Sequence, residues 1–173
     1  WYMKRLVQAP ALWKGRPPTM APDQIDNMFL WFVAGVILGG RLGYATFYQP
    51  ELWTHPGELL KLWNGGMSFH GGLFGVVVAL AWISWRGGLN LLRVADYVAV
   101  CVPFGMLFGR LANFINGELW GRVTDASVPW AMVFPRDPLQ LARHPSQLYQ
   151  FALEGMTLFV ILLWFSSRER PHW

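Results

Sequence analysis

Residues 97–121 read YVAVCVPFGMLFGRLANFINGELWG, and this stretch decides the fold. The part from Tyr97 to Ile115 is almost wholly apolar, and its length is close to the roughly 20 residues that a helix needs to cross the hydrocarbon layer. The stretch then carries an arginine, two asparagines and a glutamate within a few positions. Polar groups at membrane depth are costly and usually serve a function. We therefore predict a transmembrane helix with a functional polar end.

Three further apolar runs of similar length predict three further spans. Glycines recur one helical turn apart in the first of them, at Gly35, Gly39 and Gly43. Small residues at this spacing let two helices approach closely in lipid, so we interpret them as a packing surface. The pattern predicts an all-α fold, a polytopic membrane helix bundle with about four spans, forming a single membrane domain over residues 1–173. The other runs extend over Met28–Tyr48, Phe69–Trp85 and Leu148–Phe165.

Composition agrees with a membrane protein and excludes several other classes. The chain is 54% hydrophobic and 14% charged, against roughly 25% charged residues in soluble domains. Its net charge is +4, but the basic residues are scattered, so no nucleic-acid partner is expected. A single cysteine, Cys101, excludes an internal disulfide and a cysteine zinc cluster. The four histidines lack metal-ligand spacing, so we expect neither a metal nor a cofactor.

The basic residues between the spans predict the orientation. Cytoplasmic loops carry an excess of lysine and arginine, so the side with more of them should face the cytoplasm. The segment 117–146 then forms an outward loop or cap. The richer side carries Lys4, Arg5, Lys14, Arg16, Arg86, Arg93, Arg168 and Arg170, and the other side carries Lys61, Arg122, Arg136 and Arg143.

The polar end of the third span is the first candidate site. Arg110 and Asn113 are three residues apart and share a helix face, and Glu118, two turns beyond Arg110, is expected on roughly the same side. A guanidinium at this depth needs an anionic partner. One alternative is an internal Arg–Glu pair that only holds helices together. The other is an anion site in which Asn113 and Asn116 position oxygens, and a phospholipid phosphate is the nearest such anion.

Other polar residues also have two interpretations. Arg41 either snorkels to the interface or makes a second cationic contact with a headgroup. His70, within a glycine-rich segment, is either structural or a proton acceptor near neutral pH. Arg143 and His144 either cap the fourth span at the interface or lie beside the site. Glu154, inside that span, is a possible ion-pair partner for the intramembrane arginines.

Four ordered motifs together resemble the prolipoprotein diacylglyceryl transferase family of bacteria. The third motif fits the family signature Gly-Arg-x-(Gly/Ala)-Asn-Phe-hydrophobic-Asn-x-Glu-x-x-Gly throughout. The fourth contains the family's His-Pro-Ser-Gln-Leu-Tyr segment. The four motifs extend over roughly two thirds of the chain and occupy Gly39–Tyr44, Gly65–Leu73, Gly109–Gly121 and Arg143–Tyr149.

The resemblance implies an enzyme of the bacterial inner membrane, a transferase with its site toward the periplasm and the bilayer. Such an enzyme moves the diacylglyceryl group of phosphatidylglycerol to the lipobox cysteine of a prolipoprotein signal peptide. It releases glycerol phosphate and forms a thioether, the first step of lipoprotein maturation. The resemblance implies catalytic roles for His70 and Arg110. Our candidate substrate-binding residues are Arg110, Asn113, Asn116, Glu118, Arg41, Tyr44, Arg143 and His144.

The chain also departs from the family pattern. The family has about seven spans, and the chain begins with Trp1, so we expect a fragment that lacks N-terminal and C-terminal spans and is inactive by itself. Asn64 and Gln150 replace acids that are common in the family. Two other classes remain as alternatives: a channel or transporter, since intramembrane arginines and glycine-broken helices also mark permeation paths, and a purely structural bundle.

Overall fold

The computed structural model describes residues 1–13, 17–125 and 127–168. Lys14, Arg16 and Arg170, which contributed to the predicted orientation, lie outside these residues. The described chain forms two compact units, residues 1 and 3–96 and residues 2 and 97–168, with the boundary inside one long helix. The elements are α1 (Tyr2–Val7), α2 (Pro10–Trp13), α3 (Pro22–Phe47), α4 (Pro56–Leu59), α5 (Phe69–Arg86), α6 (Leu91–Ile115), β1 (Met132–Val133), β2 (Ala142–Arg143), α7 (Ser146–Gln150) and α8 (Leu158–Ser166).

Four helices of the described chain are long and apolar enough to cross a membrane, as predicted. They are α3, α5, α6 and the continuous helix from Ser146 to Ser166, which joins α7 to α8 through a π-helical segment, Phe151–Thr157. Large apolar side chains on them are exposed, for example Phe29 at 66% and Phe74 at 70%. This surface suits lipid rather than water, because a monomeric soluble protein rarely exposes large contiguous apolar patches.

The helices begin where the sequence provides caps. The amide of Ala21 donates to the Oε1 atom of Gln24 at the start of α3 (2.8 Å), and the Oγ atom of Ser68 accepts from the amide of Gly71 at the start of α5 (3.2 Å). Asn90 does the same for α6 through two backbone amides. Three of the four spans extend beyond the predicted bounds at their N-termini, since a cap and the first turn need no apolar residues.

The first unit is organised by the crossing of α3 and α5 at glycines. A Cβ atom added to Gly75 would lie 2.0 Å from the carbonyl oxygen of Gly35, and one added to Gly39 would lie 2.3 Å from that of Gly71. Only glycine permits such backbone contact. The predicted packing role of Gly35 and Gly39 is confirmed, and Gly71 and Gly75 provide the opposing surface.

In the second unit the Ser146–Ser166 helix packs against α6 at another glycine. A Cβ atom on Gly155 would lie 2.8 Å from the Cα atom of Leu107. Gly155 falls in the π-helical segment, where one extra residue per turn changes the helix face that follows. Between α6 and α7 lies the segment that was predicted to face outward, called the outward segment below; it is mostly irregular and contains the antiparallel pair β1–β2, in which Met132 lies opposite Arg143. The all-α prediction therefore holds apart from this short pair.

Candidate functional site

The polar end of α6 is shaped by the turn that ends the helix. The amide of Gly117 donates to the carbonyl of Phe114 and the amide of Glu118 donates to that of Asn113, both at 3.0 Å. Gly117 has a φ of +63°. These bonds define a Schellman motif, in which a left-handed glycine reverses the chain. Glu118 lies beside Asn113, on the side of Arg110 as expected, but it reaches that side through the chain reversal and not by continuing the helix, because α6 ends at Ile115.

Four side chains meet at this turn. The Nη1 atom of Arg110 donates to the Oδ1 atom of Asn113 (3.3 Å), and the Nδ2 atom of Asn113 donates to the Oε1 atom of Glu118 (3.0 Å). The Nδ2 atom of Asn116 donates to the same oxygen (3.3 Å). The two amides, Asn113 first, lower the pKa of Glu118, so this carboxylate remains charged and acts as an acceptor.

Arg110 has donors to spare. Its Nε atom is buried and has no hydrogen-bond partner, and its one side-chain bond goes to a neutral amide. Within the described residues no carboxylate lies within 4.0 Å of its guanidinium. The Arg–Glu pair that the sequence left open is therefore replaced by an indirect link through Asn113. A guanidinium with a buried, unmatched donor is a favourable place for an anion.

Gln147 contributes to this site, although the sequence analysis assigned it no role. It is fully buried, its Nε2 atom donates to the backbone carbonyl of Glu118 at 2.6 Å, and its Oε1 atom has no partner. The amide thus ties the start of α7 to the turn after α6. An amide at the start of an apolar helix was a usable signal, since a buried amide needs partners.

Arg143 is held in the outward segment by Asp137, which the sequence analysis also missed. Its Nε atom donates to Oδ2 at 2.6 Å, its Nη2 atom donates to Oδ1 at 3.0 Å, and Asp137 is 1% exposed. The third bond goes to the carbonyl of Gly121, and the guanidinium stacks over Trp120. The pair lowers the pKa of Asp137 and raises that of Arg143, because each charge stabilises the other. An acid in the same loop as an unpaired arginine was the available signal.

His144 lies next in the chain and joins an aromatic cluster. Its Nδ1 atom is 2.9 Å from the hydroxyl of Tyr149, and that hydroxyl accepts from the Nε1 atom of Trp130 at 2.7 Å. The hydroxyl of Tyr149 thus links His144 and Trp130 in one hydrogen-bonded cluster. The backbone of His144 bonds to Gly121 and Arg122, so the family-like motif at 143–149 is anchored to the end of the signature at 121.

In the first unit Arg41 adopts neither arrangement considered from the sequence. It is 6% exposed, and its five N–H groups all donate to backbone carbonyls. A guanidinium has five such groups, so none remains for a headgroup. Tyr44 lies beneath it, with the guanidinium 5.9 Å from the ring centroid. The five accepting carbonyls belong to Glu58, Leu59, Lys61, Gly65 and Gly66.

Arg41 therefore holds the connection between α3 and α5. Gly66 has a φ of +83°, and a Cβ atom there would lie 2.6 Å from the ring of Tyr44. The next residues cap α5, and the amide of Ser68 donates to the carbonyl of Gly40 at 2.9 Å. His70 follows in the first turn of α5, exposed, with a single recorded contact, the edge of Phe69. Its position is thus fixed by the backbone while its imidazole is free to bind.

Glu154 is exposed on its helix and forms no ion pair with any described residue. The suggestion that it pairs with an intramembrane arginine was wrong. Arg41 donates all five of its N–H groups to carbonyls and Arg110 donates one to an amide, and neither has a carboxylate partner among the described residues.

Membrane-length helices with a partly unsatisfied arginine beside an amide–carboxylate cluster define a polytopic membrane protein with a polar site at the end of one span. Comparison with known sequences specifies the family. The model of the family described as prolipoprotein diacylglyceryl transferase matches residues 1–173. The chain belongs to this family.

Curated relatives agree with this assignment. A phosphatidylglycerol–prolipoprotein diacylglyceryl transferase of Erythrobacter litoralis is 52% identical over the whole chain, which covers 58% of that protein. Proteins of the same name from Bradyrhizobium diazoefficiens and Phenylobacterium zucineum are 52% and 49% identical over 93% and 94% of the chain, which cover 57% and 60% of their lengths. The chain thus spans about three fifths of the length of these relatives.

Proposed function

We propose that the protein to which this chain belongs transfers the diacylglyceryl group of phosphatidylglycerol to the lipobox cysteine of a prolipoprotein signal peptide. Membership of the family supports the reaction class. The observation that carries the proposal to this site is the guanidinium of Arg110, whose buried Nε atom has no hydrogen-bond partner and which has no carboxylate partner in the described chain. Membership of a transferase family argues against the alternative of a channel or transporter.

The reaction has one bond to make and one to break. The cysteine sulfur attacks the glycerol carbon that carries the phosphate ester, a carbon–sulfur bond forms, and the carbon–oxygen bond breaks. Glycerol phosphate leaves with the bonding electron pair and gains negative charge. Arg110 would stabilise that charge, since preorganised donors aimed at a developing anion are a large term in catalysis. No oxidant, metal or cofactor is required by this balance.

The thiol must also lose its proton, because the thiolate is the effective nucleophile and an ordinary cysteine has a pKa near 8.5. We assign the proton to His70, whose exposed imidazole makes no recorded hydrogen bond with the described residues. Glu118 is the weaker candidate. Its lowered pKa keeps it ionised, and two amides occupy one of its oxygens. We infer that Glu118, Asn113 and Asn116 orient Arg110 and the glycerol hydroxyls.

The remaining candidate residues divide by their contacts. Arg41 donates its hydrogen bonds to backbone carbonyls, and Arg143 donates mainly to Asp137. These contacts support positioning roles for both arginines in place of headgroup binding. Tyr44 belongs with Arg41. His144 retains an accessible face beside Tyr149 and stays a candidate for contact with the headgroup or the signal peptide.

For localisation we propose the bacterial inner membrane, with the turn at Gly117 toward the periplasm. The positive-inside excess at the other end of the spans supports this. In the described residues that end carries Lys4, Arg5, Arg86, Arg93 and Arg168.

The test uses the full-length protein in detergent with phosphatidylglycerol and a lipobox peptide. We expect Arg110→Ala to lower kcat by at least about 100-fold, as expected for loss of a charge-stabilising donor. Arg122→Ala, an exposed arginine of the outward segment, is the matched control and should retain activity. Near-normal kcat in Arg110→Ala would refute the phosphate-binding role.

His70 is tested by the pH dependence of kcat. If it is the base, His70→Ala removes the limb that rises through the histidine pKa, and a more alkaline buffer partly restores the rate by ionising the thiol. His55→Ala is the control, since His55 bonds only within its own turn. An unchanged rate and pH profile in His70→Ala would eliminate it as the base.

A further inference from the structure

A polar cavity of about 480 Å³ lies at the end of the α3–α5 pair opposite to His70. It is lined by Gln24 and Asn27 of the first turns of α3 and by Arg86 of the last turn of α5. Trp31 and Trp82 form its inner wall, with ring centroids 6.4 Å apart. Nothing in the transfer chemistry above uses these residues.

Arg86 lines this cavity as an exposed side chain and forms no ion pair with any described residue. Among the described residues its guanidinium contacts the face of Trp82, 5.6 Å from the ring centroid. The nearby acid Asp26 is occupied by Lys4 at 2.6 Å, and neither Asp26 nor Asp23 lines the cavity. The position of Arg86 alone could be explained by the helix dipole, which favours a cation in the last turn of a helix. That explanation does not account for the donors that surround it.

Two side-chain amides on α3 line the same cavity as the arginine and add further hydrogen-bond donors. Gln24 accepts from Ala21 through Oε1, which leaves its amide N–H groups to donate, and Asn27 has no recorded side-chain bond. The cavity also adjoins the N-terminus of α3, where the dipole favours an anion. A guanidinium, two amides and a helix N-terminus together match a phosphate group.

An apolar groove continues from this cavity between the two helices. It has a volume of about 460 Å³ and shares Trp31 and Trp82 with the polar cavity. Its floor is the glycine crossing at Gly35, Gly39 and Gly75, where the absence of side chains leaves room beside the helix contact. From Trp31 to Leu42 the groove extends about 16 Å along α3 at 1.5 Å per residue. That is close to half of the roughly 30 Å hydrocarbon layer.

We propose that this cavity and groove bind one anionic phospholipid of the leaflet at this end of α3 and α5. The phosphate lies against Arg86, Gln24 and Asn27, and one acyl chain lies in the groove. The charge of the cavity selects an anionic headgroup over a zwitterionic one, and the length of the groove fits an acyl chain within a single leaflet. The proposal stands apart from the transfer activity, because binding here involves none of the residues assigned to the reaction.

The experiment maps the lipid by photo-crosslinking in the full-length protein. The probe is dioleoyl phosphatidic acid with a diazirine in one acyl chain, and the matched probe is the phosphatidylcholine with the same chains. Crosslinked peptides are located by mass spectrometry. We expect the acidic probe to label residues 31–42 and 74–82 at least tenfold more than the choline probe. Excess inorganic phosphate should not displace it, since phosphate has no chain to fill the groove.

The decisive variant is Arg86→Gln, which should lower labelling of the groove by the acidic probe at least about tenfold. Arg93→Gln removes an equal charge from an exposed arginine at the same end that does not line the cavity, and it should label as wild type. Transfer activity should stay within twofold of wild type in both variants, which shows that they fold. Three results would each overturn the proposal. The acidic probe could label Arg86→Gln as strongly as wild type, or the choline probe could label the groove as strongly as the acidic one. The groove could also take no lipid, because another helix of the protein fills it.

Discussion

A single methyl group at Gly75 should disrupt the first unit. In Gly75→Ala the new Cβ atom would lie 2.0 Å from the carbonyl oxygen of Gly35, whereas real Cβ contacts lie at 3.0 Å or beyond, so the two backbones must separate by about 1 Å. Overpacking costs about 1–3 kcal/mol and more where neither side can yield. Both sides here are helix backbone, and close packing is a main force between helices in lipid. Alanine regains about 0.5–1 kcal/mol of helix propensity, so we expect a net loss of about 2 kcal/mol or more.

The measurement is the free energy of unfolding in detergent micelles, with Gly105→Ala as the control. Gly105 also lies inside a long helix, but nothing lies within 4 Å of its would-be Cβ atom. The free energy of unfolding of that variant should equal that of wild type or be slightly higher. If Gly75→Ala and Gly105→Ala proved equally stable, the glycine contact would not be what holds α3 against α5.

Two further predictions concern the arginines that hold loops. Arg41→Lys keeps the charge but offers three donors from one atom in place of five donors in a plane. We therefore expect proteolysis within residues 56–66 to accelerate at least tenfold. Resistance equal to that of wild type would show that the planar guanidinium is not what holds this connection. Asp137 has a lowered pKa, so its pair with Arg143 contributes stability fully above about pH 4 and loses it as the pH falls through the lowered folded-state value. The protection factors for hydrogen exchange in residues 132–143 should therefore fall on acidification in wild type, while Asp137→Asn should have low protection factors already at pH 6 and show no such step.

Much of the fold was predictable because lipid makes strong demands on sequence. Every backbone polar group in a bilayer must be satisfied internally, so long apolar runs become helices. The four runs did so, and the glycines at 35 and 39 formed the expected close contact. The ends of α3 and α6 were less predictable, since caps such as Gln24 and Asn90 are polar and lie outside the apolar run.

The candidate site was predictable in its residue types and less so in its contacts. Arg110 and Asn113 meet because helical spacing alone brings them together. Glu118 joins them through a chain reversal that depends on one glycine at 117, which a helical projection does not represent. Arg41 meets carbonyls up to 25 positions away, and such long-range acceptors carry no side-chain signal in the sequence.

The arginines of this chain separate by how many of their donors the protein itself accepts. Arg41 donates five hydrogen bonds and Arg143 donates three, including two to the buried Asp137, and both hold loops in place. Arg110 donates one and leaves Nε buried and unpaired, while Arg86 has no recorded hydrogen bond. An unmatched guanidinium at membrane depth is costly, which is the case of Arg110, whereas Arg86 is an exposed side chain at the end of α5 that lines a cavity. On this ground we propose that both arginines bind phosphate groups that are not part of the chain, Arg110 a reacting ester and Arg86 a resident lipid.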